Sequence, residues 1–425
     1  MLIGIDASRA NRKHKSGTEW YAYYLIRWLA KIDKKNNYVL YSDKPLEGGL
    51  ADLCSKQYFE KDFKKTEIKF DKGGFQVIKS PYNNFKGKIL KWPFSYFWTQ
   101  GRLSLEMLLH SPDILFVPSH ALPLFHAKNS VITIHDIGFE THRFLYPKEY
   151  IIKGKYKHLI NWLVKIISRG KYEATYLDYL RWSTRHALNR AKKIITVSYF
   201  TKKEIERVYK IKKENIFVVH NGYNKFLYKR ISNKNKVKEI LDKYDIDSPY
   251  FFYIGRLEKK KNIPFLIEAF ALFKESNKNL NYKLVLVGDA GYCYDEINCL
   301  IHQYRLADEI IMPGWVKEED VPYLYSGAEA FIFPSYYEGF GIPLLQAMAC
   351  GTPILASDIE VIREVVQEAA LFFDPRDINS IVNAMRKVVV DQKLKYDLVK
   401  KGAEVIKNYS WEKTAKETLK VLLKK

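Results

Sequence analysis

Phe333-Pro-Ser-Tyr-Tyr-Glu338-Gly-Phe-Gly-Ile342-Pro-Leu-Leu-Gln346-Ala-Met-Ala-Cys-Gly351 is the stretch on which the reading of this chain turns. The apolar run Ala330 to Phe333 has strand character and stops at the turn formers Pro334 and Ser335. Glu338 follows, in a Gly-Phe-Gly loop. Pro343 stands where a first helical residue belongs, ahead of the helix formers Leu344, Leu345, Ala347, Met348 and Ala349. A strand that empties through glycines into a helix start presents free backbone N–H groups, which suit a phosphate. A carboxylate on the rim of that site repels phosphate but accepts hydrogen bonds from sugar hydroxyls. The combination points to a phosphorylated sugar.

The segment resembles the signature of the retaining glycosyltransferase family four. That resemblance implies an α/β GT-B architecture, two Rossmann-like domains with parallel sheets facing across an interdomain cleft, and a nucleotide diphosphate sugar as donor. The family pattern is Glu, seven residues, Glu. Here the first position is Glu338 and the second is Gln346. The resemblance makes Glu338, Gly339, Phe340, Gly341, Ile342 and Gln346 donor-binding residues, with Glu338 also in the catalytic set. The second carboxylate of the pattern accepts from ribose hydroxyls, a role Gln346 fills without charge.

A chain of 425 residues exceeds what one core serves, and 47% hydrophobic content excludes a disordered protein. The strand-like run Leu2 to Asp6 begins directly after Met1, leaving no space for a signal peptide. No run approaches the ~18 apolar residues that span a bilayer. The expectation is a cytoplasmic protein, with a peripheral place on the inner face of the cell membrane as the alternative. Cys54, Cys293, Cys299 and Cys350 are scattered, and with His302 they match no zinc spacing, so they read as structural thiols. Lys plus Arg number 70 against 48 Asp plus Glu, a net charge of +22. Such an excess attracts polyanions, but no helix-turn-helix, zinc-finger or RNP-type pattern favours nucleic acid.

Strand-like runs alternate with helical segments, the pattern of helix-covered parallel sheets. In the first half they are 2–6, 38–41, 75–79, 114–118, 131–135, 193–197 and 216–220; in the second, 251–255, 283–288, 309–312, 329–333, 353–356 and 370–373. The expected organisation is an acceptor domain over 1–222, a polar linker over 223–249 and a donor domain over 250–410. The helical segment 411–425 would pack back on the first domain, as the resemblance suggests.

Tyr253-Ile-Gly-Arg256-Leu-Glu-Lys-Lys-Lys261-Asn262 places two cations in one strand-to-helix loop, with Asn262 as the expected helix N-cap. Open α/β sheets bind ligands at that edge. The family uses Gly-Arg, four residues, Lys-Asn as a diphosphate clamp, so Arg256 and Lys261 are expected to be catalytic and donor-binding. Lys259 and Lys260 read as a solvated turn. Gly314-Trp-Val316 resembles the base-reading loop, with Val316 as a contact and Trp315 equally readable as core; Gly288, ending another strand, is expected to line the same site.

Ser16-Gly17-Thr18 opens a helix where the family places a glycine loop near phosphates and acceptor, which makes Gly17 and Thr18 candidates there. Thr133-Ile-His135-Asp136 resembles the family's His-Asp segment. A lone histidine is commonly structural, but one at a carboxyl strand edge has a functional claim; His135 joins the catalytic set, and Asp136 either holds the loop or orients the ring. Asp245-Ile-Asp247 spells a metal-binding Asp-x-Asp, but it precedes a strand instead of ending one, so neither metal nor other cofactor is expected.

Ile152, Tyr156, Leu159, Leu163 and Ile166 form an apolar helical stripe, with Lys153, Lys157, Asn161 and Lys165 on the other face. That pattern fits a helix lying on a membrane and equally one docked on a sheet. Tyr82 to Trp98, lysines among aromatics, is a second candidate contact. The resemblance as a whole implies metal-independent α-transfer with retention, with GDP-mannose as first donor, onto a glycan or polyprenyl-linked acceptor of surface polysaccharide. The competing class is a non-catalytic glycan- or polyanion-binding protein on the same fold.

Overall fold

The structure of the chain is a computed structural model that describes residues 1–55, 67–93, 97–151 and 157–424. It divides into two compact units. The first comprises Met1–Thr141, Lys148–Asn221 and Trp411–Lys425; the second comprises His142–Pro147 and Gly222–Ser410.

The first unit is built on an eight-stranded sheet in the order β3-β4-β2-β1-β5-β6-β7-β8. The strands are β1 (Leu2–Asp6), β2 (Asn37–Ser42), β3 (Gln76–Val77), β4 (Phe85–Ile89), β5 (Ile114–Val117), β6 (Asn129–Ile134), β7 (Lys193–Thr196) and β8 (Ile216–Val218). All neighbours are parallel except the β3–β4 pair. The second unit carries a six-stranded sheet in the order β11-β10-β9-β12-β13-β14. Its strands are β9 (Tyr250–Ile254), β10 (Lys283–Val287), β11 (Ile310–Gly314), β12 (Ala330–Phe333), β13 (Ile354–Ser357) and β14 (Leu371–Phe373), all parallel. Helices on both faces bury the central strands, so those strands read as near-continuous apolar runs. Phe251, Leu284 and Ile332 lie in one core with Leu266 and Phe270 of the helix Ile263–Ser276.

Strand order reverses once in each sheet. In the second it reverses between β9 and β12, in the first between β1 and β5. The loops leaving the carboxyl ends of those strands diverge there and open a crevice.

Three expectations are corrected. Residues 223–249 are not a bare linker: the helix Lys234–Asp242 forms there, Asn233 accepting from Lys236 N–H at 3.1 Å to cap it. Val237 and Leu241 pack beside Gly327, at the end of the helix Val321–Gly327. The stretch 82–98 is not a surface segment as a whole, because β4 runs through it between β2 and β3 and Phe85 is buried; residues 94–96 lie outside those described. Asn262 occupies the N-cap position without capping. At φ 60° its side chain points away from the helix and donates to the Pro375 carbonyl at 2.8 Å.

The helix Trp411–Leu423 belongs to the first unit, where Trp411 stacks on Tyr24 at 5.5 Å and Lys193 Nζ donates to the Val421 carbonyl at 2.9 Å. Of the segment 151–169, residues 152–156 are outside the described part; Lys157–Ile167 is helical. Among the described residues no helix is long and apolar enough to cross a membrane.

Candidate functional site

In the second unit the strand ends are shaped by glycines. Gly288 N–H donates to the Gly314 carbonyl at 3.1 Å, and a Cβ on Gly288 would stand 2.0 Å from the Gly255 carbonyl oxygen. No side chain fits there, so the exits of β9, β10 and β11 share one bare backbone floor. The loop after β9 carries Arg256, whose side chain is 62% exposed and only 3.8 Å from the Glu258 carboxylate. Its guanidinium is held loosely and reaches into solvent.

Lys261 is placed differently. Its ammonium donates to Glu338 Oε1, which also accepts from Ser335 Oγ at 2.8 Å. Tyr336 N–H donates to the Lys260 carbonyl at 3.1 Å. One side-chain ion pair and one main-chain bond therefore latch the β9 loop to the β12 loop at the sheet's reversal point. Glu338 is buried, and the ion pair with the Ser335 hydroxyl makes that burial tolerable. Both side-chain donors that reach this carboxylate among the described residues go to Oε1.

Gly339, Phe340 and Gly341 carry the chain from Glu338 into the helix Ile342–Cys350, with Pro343 in its first turn. Gly341 sits at φ 100°, a conformation costly for any residue with a Cβ. Phe340 is buried edge-on to Tyr409 at 5.9 Å and anchors the loop. Gln346, one turn in, has Oε1 3.3 Å from the hydroxyl of buried Tyr325, whose single proton is also within reach of the Pro343 carbonyl at 3.2 Å. Val316 is buried next to Gly314, which sits at φ 69°, but Trp315 is 53% exposed and so is not core.

Lys260 is not simply solvated, because its ammonium lies over Tyr146 at 5.4 Å and Tyr337 at 5.9 Å. His142 meets Tyr337 at 4.8 Å, so the segment His142–Pro147 braces the residue preceding Glu338. Nothing in the spacing of the sequence signalled that contact. Ser335 was also missed, although a Ser three residues before a buried Glu is a natural partner.

In the first unit, β1 ends at buried Asp6, which accepts from Ser8 N–H at 3.0 Å. The helix Gly17–Ile32 opens with a capping box between Ser16 and Glu19, a signal legible as Ser-x-x-Glu. Burial would raise the Glu19 pKa; the Ser16 hydroxyl and the guanidinium groups of Arg9 and Arg12 outweigh it and hold the carboxyl below its ordinary range. Thr18 Oγ1 donates to the same carboxylate at 3.2 Å. A Cβ on Gly17 would meet nothing within 4 Å, so packing inside this unit does not demand glycine there.

His135 follows β6, buried edge-on to Tyr21 at 4.8 Å. Its Nε2 lies 3.2 Å from the Pro118 carbonyl, which can only accept, so Nε2 carries the proton and Nδ1 is the acceptor. Burial drives the imidazole pKa down from 6.5 to about 4, against the Pro118 carbonyl and the Asp136 carboxylate, which pull it up. The ring is neutral at physiological pH. Asp136 Oδ1 accepts from Gly138 N–H at 3.1 Å, so this carboxylate shapes the loop into the short helix Gly138–Thr141.

Among the described residues no three His, Cys, Asp or Glu side chains gather as a metal site. Asp245, at φ 56°, and Asp247 stand before β9, at the opposite end of that strand from Arg256.

Two parallel-sheet Rossmann-like units, each with a reversal point, are the GT-B fold. Solved structures share it: a sucrose-phosphate synthase from Thermosynechococcus elongatus superposes with a TM-score of 0.68 over 99% of this chain and 98% of its own, at 18% identity. WaaG, a glycosyltransferase involved in lipopolysaccharide biosynthesis, gives 0.67 over 100% of both chains at 13% identity. Residues 15–227 match the model "Glycosyltransferase Family 4", and residues 234–405 match "Glycosyl transferases group 1". The chain belongs to glycosyltransferase family 4, and it is a glycosyltransferase. Among curated relatives, O-antigen chain mannosyltransferase B of Escherichia coli is 29% identical over 315 residues, 74% of this chain and 73% of that protein. O-antigen chain mannosyltransferase RfbU of Salmonella typhimurium strain LT2 is 27% identical over 392 residues, 89% of each.

The His135 environment sets a pH dependence. A histidine whose folded pKa lies below its unfolded value stabilises the fold above pH 6.5 and loses that contribution as pH falls toward 4. His135→Asn should flatten the acid side of the stability curve relative to the parent. Urea midpoints measured from pH 7 to pH 4 check this; parallel curves would mean the imidazole is not held neutral.

Proposed function

We propose that this enzyme moves a mannosyl group from GDP-mannose to a glycan or lipid-linked glycan acceptor in the synthesis of an O-antigen or related surface polysaccharide, with retention and without a metal. The carrying observation is the Lys261–Glu338 pair beside exposed Arg256 at the reversal point of the second sheet. The mannose and O-antigen parts are supported by the two relatives, both O-antigen chain mannosyltransferases. The donor domain would be the second unit and the acceptor domain the first.

In this reading Arg256 and Lys261 take the diphosphate, where negative charge develops as the glycosidic bond breaks. An ammonium has three donors, so Lys261 keeps Glu338 with one and turns the others to phosphate. The free N–H groups at the start of the helix Ile342–Cys350 add to the anion site. Glu338 Oε2 accepts from a sugar hydroxyl and the Gln346 NH₂ donates to a ribose oxygen, while Gly288, Gly314 and Val316 line the base side. The displacement is front-face: the acceptor oxygen forms the new bond on the face the diphosphate leaves, and the departing phosphate takes the acceptor proton. No protein nucleophile is required. His135, neutral, accepts a substrate hydroxyl through Nδ1, and Gly17 with Thr18 leaves open backbone for phosphate or acceptor. Thermal stabilisation by GDP-mannose, GDP, UDP-glucose and UDP tests the donor, since a ligand of the native state raises stability. A larger shift with the uridine compounds would overturn it.

Removing Arg256 or Lys261 should weaken donor binding about ten- to a hundredfold, for a charge-assisted bond worth roughly 1.5–3 kcal/mol. The two differ in stability: Arg256→Ala should leave the melting temperature unchanged, whereas Lys261→Ala strands buried Glu338 and lowers it. Lys259→Ala should change neither. Equal binding losses at 259 and 261 would show that the loop is misassigned.

Chelation supplies a third check. Turnover should survive EDTA because cationic side chains and a helix start replace the metal. Loss of turnover that manganese or magnesium restores would refute that mechanism.

Gln346→Glu keeps the acceptor for Tyr325 and puts a charged oxygen where the NH₂ stood. If ribose is the partner, nucleotide binding should tighten about fivefold, because charge-assisted bonds are roughly twice as strong as neutral ones. The 2′,3′-dideoxy nucleotide should show no gain. An identical change for both ligands would remove Gln346 from the ribose site.

A further inference from the structure

The loop that leaves β1 carries more positive charge than its own contacts neutralise. Between Asp6 and Glu19, the cations Arg9, Arg12, Lys13 and Lys15 face only those two carboxylates, a surplus of two. Arg9 stands three residues beyond β1, one of the two strands between which the first sheet reverses its order. Its side chain is 30% exposed, and its guanidinium lies 3.9 Å from the Glu19 carboxylate, which Arg12 shares at 3.5 Å. Among the described residues Arg9 donates no side-chain hydrogen bond. Both carboxylates bond their own loops instead: Asp6 accepts from the Ser8 N–H and hydroxyl, and Glu19 from Ser16 and Thr18. A guanidinium has five N–H donors and no acceptor, so a largely covered cation is left with its fork open.

Two groups from elsewhere in the first unit lie within its field. Burial drives the His135 imidazole down to about 4, and the Arg9 charge acts in the same direction. Burial pushes the Tyr179 phenol up to about 12, and the Arg9 charge opposes it. Tyr179, on the helix Tyr176–Arg190, donates its proton to Gln100 Oε1 at 2.7 Å, and His135 carries its proton on Nε2 beside the Pro118 carbonyl. Each is left with an acceptor, and Arg9 is the donor of the group.

We propose that Arg9 is a specificity-determining residue that holds an oxyanion of the sugar acceptor, phosphate or carboxylate, close to the hydroxyls taken by His135 and Tyr179. The inference deepens the proposed function and rests on it for the role of the first unit as acceptor domain. A neutral sugar hydroxyl would also accept from Arg9, but it would leave the charge uncompensated in a place mostly shut off from water. An oxyanion matches the planar fork with two parallel bonds and cancels the charge.

Calorimetric titration of the full chain with GDP present is the test. The probes are three mannose compounds on the same hexyl chain, joined through a phosphodiester, through a glucuronate residue, or through a plain glycosidic bond. The wild type should bind one of the charged probes about ten- to a hundredfold more tightly than the neutral one, as expected for one charge-assisted contact. The charged probe it prefers identifies the oxyanion. Arg9→Gln should erase that difference while GDP binding, affinity for the neutral probe and the melting temperature stay as in the wild type. Arg9→Lys should restore part of it, since the charge returns without the fork. Arg12→Gln removes the same charge from a side chain that is 60% exposed and should keep most of the difference. Three results would overturn the proposal: a wild type that does not distinguish charged from neutral probes, equal losses at Arg9 and Arg12, or an Arg9→Gln variant that loses GDP as strongly as the charged probe. The titration needs no turnover, so a wild type that shows the preference but transfers no mannose would support Arg9 as the anion holder and count against the proposed function alone.

Discussion

The contact on which the site depends is the buried pair of Lys261 with Glu338. Each residue leaves the carboxyl end of a different strand, β9 and β12, and those strands adjoin only because the sheet order reverses between them. Besides the pair, the main-chain bond from Tyr336 to Lys260 and the Lys260 ammonium over Tyr337 join the two loops. Placement of the Glu338 oxygens, of the Gly-Phe-Gly turn and of the helix start at Ile342 follows from that latch. Ser335, from the same loop, completes it by donating to the shared oxygen.

Much of the fold was legible because buried parallel strands and their turns leave strong local traces. Tyr250 to Ile254, Lys283 to Val287 and Ala330 to Phe333 are apolar runs that stop at glycine or proline, and each is a strand. β4 was not legible. Phe85-Lys-Gly-Lys-Ile89 alternates with lysine and contains glycine, and it forms because β2 and β3 flank it on both sides. The helix Lys234–Asp242 was hidden for a related reason: a polar segment with few apolar contacts, here Val237 and Leu241, has the composition of a linker. Its docking is a tertiary fact.

The site divides along the same line. Residue types that carry chemistry in a fixed local frame, such as Glu338 between Ser335 and Gly339, could be picked out from spacing. Which of them touch could not. The sequence placed Arg256 and Lys261 in one loop as equals, yet one is solvent-exposed and the other paired in a buried contact. Lys260 looked like part of a charged turn and instead lies over two tyrosines, one of them, Tyr146, more than a hundred positions earlier in the chain. Periodicity likewise revealed the amphipathic helix near residue 160 but not which face turns outward, since the period is the same either way.

The pairing of Lys261 also shapes what the site does electrostatically. A lysine already neutralised by a carboxylate is a weak trap for a free anion, so a lone phosphate gains little there. A nucleotide diphosphate sugar offers more: phosphate for the remaining ammonium donors and for Arg256, and a hydroxyl for the second Glu338 oxygen. Only a ligand carrying both parts satisfies every group at once, and no donor is left unpaired in a buried setting. The ion pair thus holds the ammonium in place before the ligand arrives, and preorganised charge is worth most where charge develops on the leaving group. Under the proposed function, the same latch that orders two loops would favour a sugar attached to a diphosphate over either half alone.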